Sequence, residues 1–233
     1  MTSMLVVLAP VVLLTLVVLV FVVRANGQRK ARLQALEDHA RKRNWRALPA
    51  DATSLWKVQG GRDEAWTLSL MKAPRQNNQP TQTPRLLWSQ RPTGPAEPFL
   101  VVAQPPPFVL KLGLPWNDYF RQFLAHHLNL PEDLLNALQP VTTGDYGFDQ
   151  QWMLLLRDPS RASLVRRELG PLLGGLEPTV RLQPLIAMLP DTWICQVLGD
   201  HHEPDMTDRL VAIGERLSRL QQESTPAQEM SYT

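Results

Sequence analysis

Trp152-Met153-Leu154-Leu155-Leu156 (WMLLL) is a continuous apolar run of strand length, and Asp158-Pro159 follows it almost directly. A short apolar run closed by a turn signal reads as a buried strand. The Asp-Pro pair reads as a helix start, with Asp as N-cap and Pro at the first helical position, where its missing N–H costs nothing. Ala162, Val165, Leu169 and Leu172 then line an inner face, while Arg161, Arg166 and Arg167 point elsewhere. Gly170-Pro171 is expected to end or kink this helix, and Gly174-Gly175 to stop it. Strands are predicted at Thr179–Leu182, Leu185–Leu189 and Thr192–Leu198. Asp205 is the expected cap of a last helix with Leu210, Ile213, Leu217 and Leu220 inward, and Gln221–Thr233 reads as a polar tail, disordered over 223–233. Strand, helix, strands, helix argues an α+β fold, a mainly antiparallel sheet with helices packed on one face.

Working back from that half, Trp66–Met71 (WTLSLM), Arg85–Gln90 (RLLWSQ), Phe99–Ala103 (FLVVA) and Phe108–Leu112 (FVLKL) read as short strands. Proline-dense connectors separate them, and Lys72–Thr83 reads as a polar hairpin loop. Asn117–Leu128 carries Phe120, Phe123, Leu124, His127 and Leu128 at helical spacing. Pro131–Leu138 follows as a short helix, and Gly144-Asp145-Tyr146-Gly147 as a turn. The soluble α+β domain is therefore expected over 45–222, with a sub-boundary near 140–148.

The other end of the chain has a different character. After a tail of residues 1–3, Met4–Val23 (MLVVLAPVVLLTLVVLVFVV) has no charge, and sixteen of its twenty residues are Leu, Val or Phe. A helix of that length covers about 30 Å, the hydrocarbon thickness of a bilayer. The run is too long for a signal-peptide core, and no basic n-region precedes it. A single transmembrane helix is the expectation. No Lys or Arg precedes the run, whereas Arg24, Arg29, Lys30, Arg32, Arg41, Lys42 and Arg43 follow it. The positive-inside rule then predicts the N-terminus outside and the C-terminal domain in the cytoplasm. Residues 24–44 read as a basic juxtamembrane helix with Leu33, Leu36 and Ala40 as a narrow stripe, loosened from the span at Asn26-Gly27. Its seven cations are the expected contacts to the membrane surface, each worth about 1 kcal/mol near anionic lipid. Trp45 alone makes no base-stacking platform, and the net charge of +2 gives no polyanion signal, so no nucleic acid is expected.

Phe148-Asp149-Gln150-Gln151-Trp152 through Asp158-Pro159, continued by an amphipathic helix, strands and a closing helix, resembles bacterial membrane-anchored proteins of unknown function. In those, one or two N-terminal spans precede an α+β domain. The resemblance covers Phe148–Leu220 plus the anchor, and implies neither an activity nor catalytic residues.

The sharpest candidate for chemistry is Asp200-His201-His202-Glu203-Pro204-Asp205, whose imidazoles and carboxylates suit zinc, manganese or iron. Adjacent side chains of an extended chain point to opposite faces, however, and the His126-His127 pair diverges on its helix. The single cysteine, Cys195, lies in an apolar run and excludes an internal disulfide. No G-x-S-x-G, H-E-x-x-H or C-x-x-C occurs; the Gly144 turn has no strand-then-helix context of a phosphate cradle, and the Gly170 stretch lacks the lysine and hydroxyl of a phosphate loop. No cofactor is implied. The expected function is non-enzymatic: a single-pass anchor presenting an interaction or accessory domain to a membrane-associated protein partner. The alternative is a metal-dependent enzyme using His201, His202, Asp200 and Glu203, and a third reading is a lipid-surface sensor using Arg29–Arg43.

Overall fold

The computed structural model describes residues 2–73, 75–76, 79–80, 83–94, 96–104, 118, 121–122, 125–126, 130–176, 184–199 and 201–224; at 2–15, 17, 75–76, 79–80 and 222–224 the description covers the backbone alone. The first element, α1 (Thr2–Lys42), is one unbroken helix. The joint expected at Asn26-Gly27 is absent from it. A Cβ on Gly27 would meet nothing within 4 Å. The glycine is therefore only a local propensity cost of about 1 kcal/mol, which the good helix formers around it absorb. α1 stops at Asn44, whose φ of 57° is left-handed. The Asn44 N–H donates to the Arg41 carbonyl (3.0 Å) and the Trp45 N–H to the Ala40 carbonyl (2.9 Å). That pair of bonds is the Schellman closure of a helix, with asparagine in the place usually held by glycine.

The strands in chain order are β1 (Arg46–Ala47), β2 (Ser54–Gly60), β3 (Trp66–Met71), β4 (Arg75–Gln76), β5 (Gln79–Pro80), β6 (Arg85–Gln90) and β7 (Phe99–Ala103). There follow α2 (Glu132–Asn136), β8 (Gln139–Val141), α3 (Tyr146–Gln151), β9 (Trp152–Leu156), α4 (Ala162–Leu173), β10 (Leu185–Met188), β11 (Trp193–Leu198) and α5 (Pro204–Ser224). Among the described residues, nine strands form one antiparallel sheet in the order β1-β2-β3-β6-β11-β10-β7-β9-β8, and β4 and β5 pair separately. The C-terminal hairpin β10–β11 closes the sheet from within. Cys195 of β11 faces Trp88 of β6, and Ile186 of β10 faces Val101 of β7. The sub-boundary expected near 140–148 lies between β8 and β9, which are hydrogen-bonded neighbours.

The sheet is covered on both sides, unevenly. On one face, α4, α5 and the end of α1 bury Trp56, Val58, Leu68, Trp88, Val101 and Leu154, among others, in the main core. On the other, Leu100, Val102, Leu155, Leu185 and Ala187 meet Ala125, Leu130, Leu134, Leu135 and Leu138. Helices on one face alone were the expectation; the second cluster corrects it. It also explains why FLVVA and WMLLL read as unbroken apolar runs, since strands covered on both faces need apolar residues at every position. α5 comes close enough to β6 that a Cβ on Gly214 would lie 2.1 Å from Cε2 of Trp88. Glycine is there for that approach.

Local readings differ in three places. Asp145, read as part of a turn, caps α3 by accepting from the Phe148 N–H (3.1 Å). α4 continues through Pro171 to Leu173, and the Asp158-Pro159 cap opens a 3-10 turn, Pro159–Arg161, that leads into it, with the Ser160 N–H donating to the Asp158 carboxylate (2.9 Å). α5 begins at Pro204 with Asp205 inside its first turn, and runs to Ser224 past the expected tail boundary. The strands predicted at Phe108–Leu112 and Thr179–Leu182 lie outside the described residues, as do Phe120, Phe123, Leu124, His127 and Leu128. Asp118, Arg121, Gln122, Ala125 and His126 are helical. Among the described residues, no helix is long and apolar enough to cross a membrane. Met4–Thr15, most of the expected span, are described as backbone only.

Candidate functional site

One face of α1 does two different things along its length. Leu36 and Ala40 are buried in the main core, and Leu33 packs beside them. One to three turns earlier, Ala25, Arg29 and Arg32 lie on the same stripe, at the i, i+4, i+7 spacing. There the helix overhangs the ends of β2, β3 and β6 and encloses a groove of about 1230 Å³ with them. The groove's other wall is Ala52-Thr53, Leu55, Met71-Lys72-Ala73, Pro84-Arg85 and His202.

A clasp holds this geometry. His39 Nε2 donates to Asp208 Oδ1 on α5 (2.8 Å), and the Arg43 guanidinium bonds the other carboxylate oxygen. Burial pulls the Asp208 carboxyl upward, but the hydrogen bonds from Arg43 and His39 outweigh it, leaving its pKa below the ordinary value. His39 packs edge-on against Trp45 (5.7 Å), which packs edge-on against Trp66 (5.3 Å). The Schellman turn thus delivers Trp45 back under the helix it terminates.

The groove is basic. Arg29 and Arg32 are exposed on α1 and make no ion pair among the described residues. Lys72 Nζ donates to the carbonyls of Asp51 (2.8 Å) and Ala52 (3.2 Å), and Arg85 donates to Gln196 Oε1 (3.4 Å). Those acceptors are neutral carbonyl and amide oxygens. No described carboxylate lines the groove. Asp51, next to the lining residues Ala52 and Thr53, is held ionised: the Thr53 hydroxyl and the Thr53 and Ser54 N–H groups keep its carboxyl far below the usual range, and Lys57 Nζ lies 3.8 Å from it. Lys72 and Arg85 were not singled out in the sequence. The β3–β6 register sets Met71 opposite Arg85, so the Arg85 side chain leaves the sheet on the face away from α1, toward Gln196, although the strand end it begins lines the groove.

The remaining membrane-surface candidates are distributed around the helix. Arg24, Lys30 and Lys42 are exposed, Arg41 pairs with Asp38 one turn back (3.3 Å), and Arg43 belongs to the clasp. At the histidine loop, His201 Nε2 donates to the Leu198 carbonyl (2.9 Å), with Nδ1 3.7 Å from Glu203. His202 is buried and lines the groove, and His201 is not among the groove's lining residues. Asp200 and His127 lie outside the described residues, and among those described no three His, Cys, Asp or Glu come together to hold a metal. Cys195 is buried between β6 and β10, and burial pushes its thiol pKa up.

No protein-family model and no curated protein matches the chain. Among solved structures, the crystal structure of the mycobacterial trehalose monomycolate transport factor A, TtfA, is similar at a TM-score of 0.45 and 7% identity, over 82% of this chain and 94% of that one. A likeness of that degree carries no functional argument.

Proposed function

We propose that the chain is a single-pass membrane protein of non-enzymatic type, whose α+β domain is held at the cytoplasmic membrane face as an interaction or accessory module for a membrane-associated partner. The observation that carries this reading is the described end of the apolar stretch. Leu16, Val18, Leu19, Val20, Phe21, Val22 and Val23 are each at least half exposed, up to 70% for Phe21. Consecutive residues occupy every face of a helix, so this segment is apolar all round and rests on nothing in the domain. Apolar surface of that extent in water calls for a cover, and a bilayer supplies one on all sides. The basic residues that follow set the orientation. Confinement to a membrane plane raises the domain's effective concentration toward other membrane-bound proteins.

The test is fractionation and topology of the full chain. The protein should pellet with membranes, resist alkaline carbonate, and give fluorescence but no phosphatase activity when a cytosol-active fluorescent protein or an export-active phosphatase is fused after Thr233. Recovery in the carbonate supernatant would defeat the anchor. Phosphatase activity would reverse the orientation.

A further inference from the structure

The groove between α1 and the strand ends carries exposed positive charge on two walls. Arg29 and Arg32 line it from the helix, both exposed and without an ion pair among the described residues. Lys72 lines it from the end of β3 and is exposed as well. It follows the buried Leu70 by two residues, so it leaves the chain on the sheet face that α1 covers. The Asp51 and Ala52 carbonyls that accept from its Nζ carry no charge. Arg85 adds nothing here, since its guanidinium turns to the other face toward Gln196. No described carboxylate lines the groove, and the Asp51 carboxylate beside it is engaged by Thr53, Ser54 and Lys57. Like charges around one cavity repel, and an acidic occupant relieves the repulsion. Ala25, Leu55, Ala73 and Pro84 give the groove an apolar component too.

Size and position select the kind of occupant. At about 1230 Å³ and half-open, the groove exceeds the roughly 300–1,000 Å³ of a small-molecule pocket and suits a length of chain. Arg29 lies six residues and Arg32 nine residues beyond Val23, so about 9 and 14 Å along an unbroken helix at about 1.5 Å per residue. A tilt of about 20° lowers those heights by only about a twentieth. The polar layer on each side of the hydrocarbon is roughly 5–8 Å deep, so both arginines stand past the headgroups, in water. The lining offers no exposed aromatic ring on which a base could stack. We propose that this groove receives an acidic, partly apolar loop or tail of a membrane-associated protein, its carboxylates paired with Arg29 and Arg32 on the helix and Lys72 on the sheet. The choice of a membrane-associated partner rests on the membrane reading above; the charge of the groove does not.

The test uses the full chain in a neutral detergent and the fluorescence anisotropy of a short rhodamine-labelled peptide of glutamate and leucine, beside its counterpart with glutamine for glutamate. The acidic peptide should bind, and the glutamine peptide at least about tenfold more weakly. Arg29→Gln, Arg32→Gln and Lys72→Gln together should weaken binding of the acidic peptide about thirtyfold, near threefold for each exposed ion pair removed. Arg29→Lys, Arg32→Lys and Lys72→Arg together should bind within about twofold of the parent, which separates lost charge from lost folding. Glutamine at Arg24, Lys30 and Lys42, exposed on α1 but outside the groove lining, should change binding by about twofold at most. Equal losses in the two glutamine variants would overturn the groove, leaving only diffuse attraction to α1. Equal binding of the two peptides would overturn the acidic occupant. Displacement of the peptide by short-chain phosphatidylglycerol would overturn the proposal in favour of a lipid site. A dimer in sedimentation that dissociates in the groove variant would overturn it in favour of a second copy of the chain. Carbonate extraction of the same variants scores the anchor separately, so failure of peptide binding with retained membrane residence counts against the groove alone.

Discussion

Gly214→Ala tests the closest approach in the fold. The added methyl would sit 2.1 Å from Cε2, 2.2 Å from Cζ2 and 2.6 Å from Cδ2 of Trp88, whose ring is fully buried. Carbon atoms pack best at about 3.5–4.0 Å, so α5 and the indole must separate by about 1.4 Å. The indole cannot supply that movement easily, because β6 is held between β3 and β11. If α5 lifts instead, Leu210, Ile213, Leu217 and Leu220, all fully buried, lose contact along the whole helix. Overpacking of this kind costs about 1–3 kcal/mol, and two rigid partners place this site at the upper end. Replacing a mid-helix glycine returns about 1 kcal/mol of propensity. The net loss expected is about 2 kcal/mol, or roughly 4–8 °C in Tm for a chain of this size. Gly27→Ala is the internal control: it is also mid-helix, with nothing near its Cβ, and should leave stability unchanged or raise it by up to about 1 kcal/mol. The assay is chemical denaturation of the full chain followed by tryptophan fluorescence. Gly214→Ala within about 0.5 kcal/mol of the parent would refute the seating of α5 on Trp88.

Leu36→Ala should cost about 2–5 kcal/mol in the same assay, because it empties a fully buried site where α1 docks; a loss of a few tenths would mean that the helix does not dock. Asp208 has a pKa lowered in the folded state, so its contribution is complete above the ordinary Asp value near about 4 and is lost as pH falls through the lower folded value. Asp208→Asn should therefore reduce the acid limb of a stability–pH profile, leaving the share that belongs to Asp51, Asp145 and Asp158, which are lowered in the same direction. An acid limb identical to the parent's would show that the clasp does not form in solution.

The C-terminal half was legible because its signals are local. WMLLL, the Asp158-Pro159 cap and the Leu210, Ile213, Leu217, Leu220 stripe each declare an element within a few residues, and the structure places all three as read. β2 was not legible. Its inward positions are Ser54, Trp56, Val58 and Gly60, of which only two are apolar, so the alternation has little amplitude to detect. α3 was hidden by its shortness and by a cap, Asp145, that sits among glycines and so imitates a turn. The covering of the second sheet face could not be read either, since it depends on where α2 docks and not on α2's own pattern. The groove divides the same way. Arg29 and Arg32 stand out in a basic run, whereas the loop and strand-end residues of the other wall gain their place only from tertiary packing.

The unbroken course of α1 makes its two halves a single shaft. The core grips the shaft at Leu36 and Ala40, so the azimuth of the apolar half is fixed relative to the sheet. Each residue inserted between Val23 and Leu33 would turn one half against the other by about 100° and lengthen the shaft by about 1.5 Å. One added residue would carry the groove to the wrong side, whereas seven would return it nearly to phase about 10 Å further out. Direction and reach are therefore written into the residue count of this segment, independently of which residues fill it.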